Sequence, residues 1–119
     1  MNEEVISKLL LWFNENKRDL PWRHTRDAYK IWISEVMLQQ TGVITVMDYY
    51  TRFIKEYPNI ENLSRASLER VLKLWEGLGY YHRAKNIHKC AQKVIELGYD
   101  NLPQDKKVLQ SLPGLGPYT

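Results

Sequence analysis

The sequence predicts an all-α fold. Apolar residues recur at three- and four-residue intervals in one segment after another, and no stretch alternates apolar with polar as a half-buried strand would. Capping residues and glycine or proline breaks divide the chain at helix-like lengths. With 119 residues there is room for one domain with a real core and not for two.

Each element has a local reason. Asn2 can cap a first helix, with Glu3 and Glu4 in a first turn where the helix dipole favours acids, followed by Val5, Ile6, Leu9, Leu10, Trp12 and Phe13. Lys17 to Asp27, interrupted by Pro21, reads as a loop, and Asp27 caps a second helix running towards Thr41. A third runs from about Val43 through Met47, Tyr50, Phe53 and Ile54 and stops before Pro58, whose ring disfavours a helical residue ahead of it. Ile60 to Ala66 reads as a short helix. Ser67 caps the next, with the stripe Leu68, Val71, Leu72 and Trp75, and Gly77 and Gly79 break it. A long helix from about Tyr80 to Leu97 stops at Gly98. After Pro103, Val108, Leu109 and Leu112 form a short helix leading into a tight hairpin, Leu112-Pro113-Gly114-Leu115-Gly116. Pro117 then stands where a first helical residue is favoured, so a further helix is expected after Thr119 and the chain reads as a piece of a longer protein.

Composition narrows the class. Hydrophobic residues make up 44% and charged residues 26%, the profile of a globular and not a disordered chain. Lys and Arg number 17 against 14 Asp and Glu, a net charge of +3 that permits a polyanionic partner without demanding one. The single Cys90 excludes an internal disulfide and a cysteine-only metal site. No apolar run reaches membrane-spanning length and no secretion signal opens the chain, so a cytoplasmic, nucleoid-associated setting is expected.

Four constellations carry chemistry. Glu35 shares its helical stripe with Ile31, Trp32 and Leu38, and Gln39 stands at i+4, so no cation of its own helix lies one turn away. A carboxyl in apolar surroundings holds its proton more tightly, as a general acid must; the bland alternative is rotation to solvent or a cation from elsewhere in the fold. The Gly114-Leu115-Gly116 turn can point consecutive N–H groups at a phosphate, or can be an ordinary helix–helix connection. Gly77-Leu78-Gly79-Tyr80-Tyr81 delivers aromatics beside Arg83, Lys85, Lys89 and Lys93, which suits a distorted duplex or, equally, a packed turn with a solvated basic face. Lys17 to Arg23 places three cations and Trp22 in one loop, able to stack on a base or to close the core. His24, His82 and His88 have no partners at metal spacing, His88 is expected at the surface, and Cys90 is expected to pack, so no metal site is expected.

Leu20-Pro21-Trp22-Arg23, Trp32 to Thr41, Leu74 to Tyr81 and Leu112 to Thr119 together resemble the adenine DNA glycosylases (MutY type) of the helix-hairpin-helix glycosylase superfamily, in that family's order along essentially the whole chain. The resemblance implies removal of adenine mispaired with 8-oxoguanine or guanine in double-stranded DNA, by a monomer without membrane attachment. It implies that Glu35 protonates the purine and that Tyr118 supports it. Arg18, Leu20, Trp22, Arg23, Leu38 and Val43 would line the adenine pocket. Gln40, Thr41, Leu78 and Tyr80 would enter the duplex, Gln40 and Tyr80 as wedges, while Gly114 and Gly116 grip phosphate.

The resemblance also implies parts this chain lacks: a downstream Asp, a [4Fe-4S] cluster on four cysteines, and a C-terminal recognition domain. Residues 1–17 would be a helix of the cluster-side lobe and 27–119 an incomplete helical barrel, cut within the hairpin motif. On this view the piece alone binds no cofactor and is inactive, and the apolar face of the first helix, including Leu10 and Phe13, is left uncovered. Two alternatives are a mismatch or pyrimidine glycosylase of the same superfamily and a non-catalytic helical DNA-binding module.

Overall fold

Local caps and breaks place the helices where the sequence puts them. The computed structural model describes residues 2–16, 27–39 and 41–115, with side chains of residues 4–11 in the first stretch. Seven helices occur among them: α1 (Asn2–Asn16), α2 (Ala28–Leu38), α3 (Val43–Glu56), α4 (Ile60–Arg65), α5 (Leu68–Trp75), α6 (Tyr81–Glu96) and α7 (Lys106–Ser111). No strand occurs among the described residues. The Asp27 carboxylate accepts from the Lys30 N–H at 2.9 Å, and the Ser67 hydroxyl accepts from Arg70 N–H at 3.3 Å. Asn59 and Asp105 cap α4 and α7 in the same way. α6 begins one residue later than expected, because Tyr80 is left-handed (φ 54°) and cannot be its first helical residue.

α2 packs between α1 and α3, while α6 lies against α4 and α5, and α3 against α5. Trp32, Ile33, Phe53, Leu63, Val71, Trp75 and Leu109 are fully buried between these layers. Phe53 meets Tyr57 and Trp75 edge-on, at ring separations of 5.4 and 6.1 Å, a favoured aromatic geometry. The Tyr29 hydroxyl donates to the Tyr57 carbonyl at 2.7 Å, tying the start of α2 to the end of α3.

Two expectations are corrected. The apolar face of α1 is covered: Val5, Ile6 and Leu9 are buried and Leu10 is half-buried against the core, because α1 packs on α2 and α7. Phe13's side chain lies outside the described residues. His88 is not at the surface: it is buried, and its Nε2–H donates to the Ala66 carbonyl at 2.7 Å, closing the α4–α5 junction against α6.

Candidate functional site

Glu35 lies on the half-buried flank of α2, its side chain 19% exposed, and it is not alone. Lys8 Nζ of α1 stands 3.0 Å from Glu35 Oε2 and 3.6 Å from Glu4 Oε1. The hydrogen bond and charge of Glu35 push the Lys8 ammonium above its ordinary range. Of the two readings the residues allowed, the structure shows a cation supplied from elsewhere in the fold. Spacing along α2 shows only same-helix partners, and the cation arrives from the packed neighbour.

Val5 of α1 and Trp32, Val36 and Gln39 of α2 line a cleft that His82 and Asn86 of α6 and the turn at Pro113–Leu115 complete; Glu35 and Lys8 are not among its lining residues. Its volume of about 40 Å³ admits water and not a purine. The buried Trp32 indole N–H on its wall has no hydrogen-bond partner, an unsatisfied donor of the kind that proteins normally pair.

Of the expected adenine-pocket residues, Arg18, Leu20, Trp22 and Arg23 lie outside the described residues. Leu38 is half-buried against the core, and Val43, the first residue of α3, is 63% exposed. Neither Leu38 nor Val43 lines the cleft, so the described residues do not gather this set into one cavity.

The expected duplex-facing turns are built differently from one another. Gln40 lies outside the described residues; Thr41, half-buried, donates its N–H to the Leu38 carbonyl at 3.5 Å. In the α5–α6 turn, Gly77 and Gly79 take φ of 91° and 84°, a region that side chains disfavour. Leu78, expected to enter DNA, is buried against the core in the free chain, between the two glycines, and its N–H donates to the Trp75 carbonyl at 3.0 Å. Tyr80 emerges instead, 47% exposed, with Tyr81 beside it. The turn is braced by the Trp75 indole N–H, which donates to the Gly79 carbonyl at 2.8 Å, and by the Tyr49 hydroxyl, which donates to the Glu76 carbonyl at 2.9 Å.

Arg83 is also corrected, from a member of a solvated basic face to a buried cation, 7% exposed. Its Nη1 donates to the Gln39 carbonyl at 2.8 Å and its guanidinium lies 4.7 Å from the centre of the Tyr80 ring. Burial draws it below the ordinary arginine range. Lys85 and Lys89 remain exposed and Lys93 is half-buried. Sequence reading missed the role of Arg83; the available signal was its position three residues after Tyr80, in the first turn of α6.

Gly114 takes φ 80°, and a Cβ there would stand 2.7 Å from Asn86 Cβ, so the hairpin seats on α6 only with glycine. Gly116 and Tyr118 lie outside the described residues. Among the described residues, no cluster of three or more His, Cys, Asp or Glu is placed to hold a metal, and no helix is long and apolar enough to cross a membrane.

Comparison with known proteins gives a consistent outcome. The HhH-GPD superfamily of base excision DNA repair proteins matches residues 33–116. Adenine DNA glycosylase of Mus musculus is 48% identical over 95% of this chain, which covers 24% of that protein. Adenine DNA glycosylase of Buchnera aphidicola subsp. Acyrthosiphon pisum is 44% identical over 100% of this chain and 35% of its own length. The solved structure of a thermostable thymine-DNA glycosylase superposes with a TM-score of 0.69 at 31% identity, over 98% of this chain and 54% of that one. The chain thus spans about a quarter to a third of the length of these two curated relatives.

Proposed function

The chain belongs to the HhH-GPD superfamily of base excision DNA repair proteins, and from that premise we propose that it is part of a DNA glycosylase that cleaves the N-glycosidic bond of adenine mispaired with 8-oxoguanine or guanine. The observation that carries the reading is Glu35 on α2, half-buried and one turn from the wall of the cleft that the Gly114 turn helps to close. The relatives named adenine DNA glycosylase add to it.

In this reading Glu35 gives a proton to N7 of the flipped adenine. The glycosidic electron pair leaves with the base, and water adds to the oxocarbenium-like sugar. Glu35 stands 3.0 Å from Lys8 Nζ, so reaching the base requires that contact to part. Tyr118 supports the acid, Arg18, Leu20, Trp22, Arg23, Leu38 and Val43 surround the base, and Gln40, Thr41 and Tyr80 engage the duplex, while Gly114 and Gly116 meet its phosphates. The partner is double-stranded DNA with an adenine mispair, bound by a monomer. Residues 27–119 then form part of the helical barrel, and residues 1–17 a helix of the neighbouring lobe.

The [4Fe-4S] cluster implied by the resemblance does not fit the residues present. A cluster takes four thiolates, and this chain has one cysteine, Cys90, which is buried in α6 with its thiol ionisation pushed up by desolvation. No step is derived through it.

The likeness to a thymine-DNA glycosylase favours a second reading, action on a thymine mispair. Single-turnover excision from adenine and thymine mispairs in competition separates the two. In the full-length parent protein, Glu35→Gln should abolish adenine release while leaving duplex affinity within about threefold, as expected for a group acting only on the chemical step. Undiminished release by that variant overturns the assignment.

A further inference from the structure

Two turns far apart in sequence meet at one side chain. Gln39 closes α2, and its carbonyl accepts from Arg83 Nη1 at 2.8 Å, across 44 residues. The same guanidinium lies 4.7 Å from the centre of the Tyr80 ring, the residue that emerges from the α5–α6 turn. The Arg83 backbone N–H also donates to the Tyr80 carbonyl at 2.9 Å, fixing the left-handed residue at the head of α6. A guanidinium can serve a carbonyl with its edge and a ring with its face at once. A lysine ammonium has no such plane. Burial removes water as a competitor, so the contacts persist only while both turns keep their relative position.

We propose that Arg83 is a positioning residue that couples the turn following α2 to the turn carrying Tyr80, so that the two engage a duplex as one rigid unit. The inference rests on the reading of these turns as duplex-facing; the tie itself does not.

Two measurements test it. In amide hydrogen exchange of the free protein, Arg83→Met should speed exchange in both 39–41 and 78–82 while leaving α5 unchanged. Acceleration in neither or in only one segment overturns the tie. In duplex binding, Arg83→Met should weaken affinity for an adenine mispair by roughly tenfold, the scale of one charge-assisted hydrogen bond. The same change in a Tyr80→Leu background should cost less than about threefold, since the partner is already gone. Equal losses in both backgrounds would mean that Arg83 contributes only general stability, and overturn the coupling. Should Arg83→Met fail to fold, Arg83→Lys, which keeps the charge and loses the planar contact, gives the same comparison. A wild-type protein that does not prefer mispaired to paired duplex defeats the glycosylase reading, while the exchange result still decides whether Arg83 couples the turns.

Discussion

Lys8 Nζ and Glu35 Oε2 face each other at 3.0 Å, an ion pair between α1 and α2. It joins a helix that the family match, residues 33–116, does not include to the acid on which the proposed chemistry depends. In the proposed reaction the pair is a resting contact, formed when no base is present and broken when one enters.

Removing the cation should cost little stability. Lys8 is half-exposed, and pairs of that kind contribute about 0.2–1 kcal/mol. Its raised pKa sets the sign: the contribution is complete below the ordinary lysine value of 10.5 and disappears as pH rises through the folded value. Urea unfolding of Lys8→Met should therefore differ from wild type by less than about 1 kcal/mol at pH 7 and converge with it at the most alkaline pH. A deficit of several kcal/mol would show the pair to be a buried structural element.

Gly77 should not tolerate a side chain. Its φ is 91°, and an added Cβ would collide with the Tyr49 hydroxyl. Gly77→Ala is expected to destabilise by about 2 kcal/mol through combined strain and overlap. Pairing it with Tyr49→Phe removes the colliding oxygen, so, measured against Tyr49→Phe alone, which already lacks the bond to the Glu76 carbonyl, Gly77→Ala should cost less but still retain the backbone strain. Thermal melts of the single and double variants read the difference. Full recovery would show that the left-handed backbone contributes no strain.

Stability should fall in alkali. Burial pushes the Tyr29 phenol and the Cys90 thiol well above their ordinary values of 10.0 and 9.0. Above those values the unfolded chain releases protons that the folded chain keeps, so unfolding gains free energy as pH rises. The slope is about 1.4 kcal/mol per pH unit for each group once it ionises. Urea midpoints should be flat to about pH 9 and then decline. A Cys90→Ala variant should postpone the onset, and an unchanged onset would remove Cys90 from the account.

His88 should matter where His82 does not. The buried His88 bond to the Ala66 carbonyl leaves an unsatisfied acceptor when deleted, so His88→Ala should cost about 1–3 kcal/mol. The exposed His82→Ala should stay within about 0.5 kcal/mol. Equal effects in chemical denaturation would mean that the α4–α5 junction does not need this contact.

The helices were legible because their signals are local. Asp27, Ser67 and Gly98 act on groups within a few residues, and the Leu68–Trp75 stripe needs only its own periodicity. The partners of the polar residues were not legible. Glu35, Arg83 and His88 were each read from the helix they sit on, and each is satisfied by a different element: Lys8 of α1, the end of α2, and the carbonyl before α5. The burial of Leu78 was not legible either: a glycine on each side allows either direction, and the neighbouring core selects one.

By itself, then, the sequence determined the helical class and the order and ends of the elements, because backbone hydrogen bonding and apolar periodicity are short-range. The tertiary structure alone decided which charges are paired and which aromatics emerge. Those outcomes depend on side chains from distant segments competing with water for the same polar groups, and only packing brings them within reach.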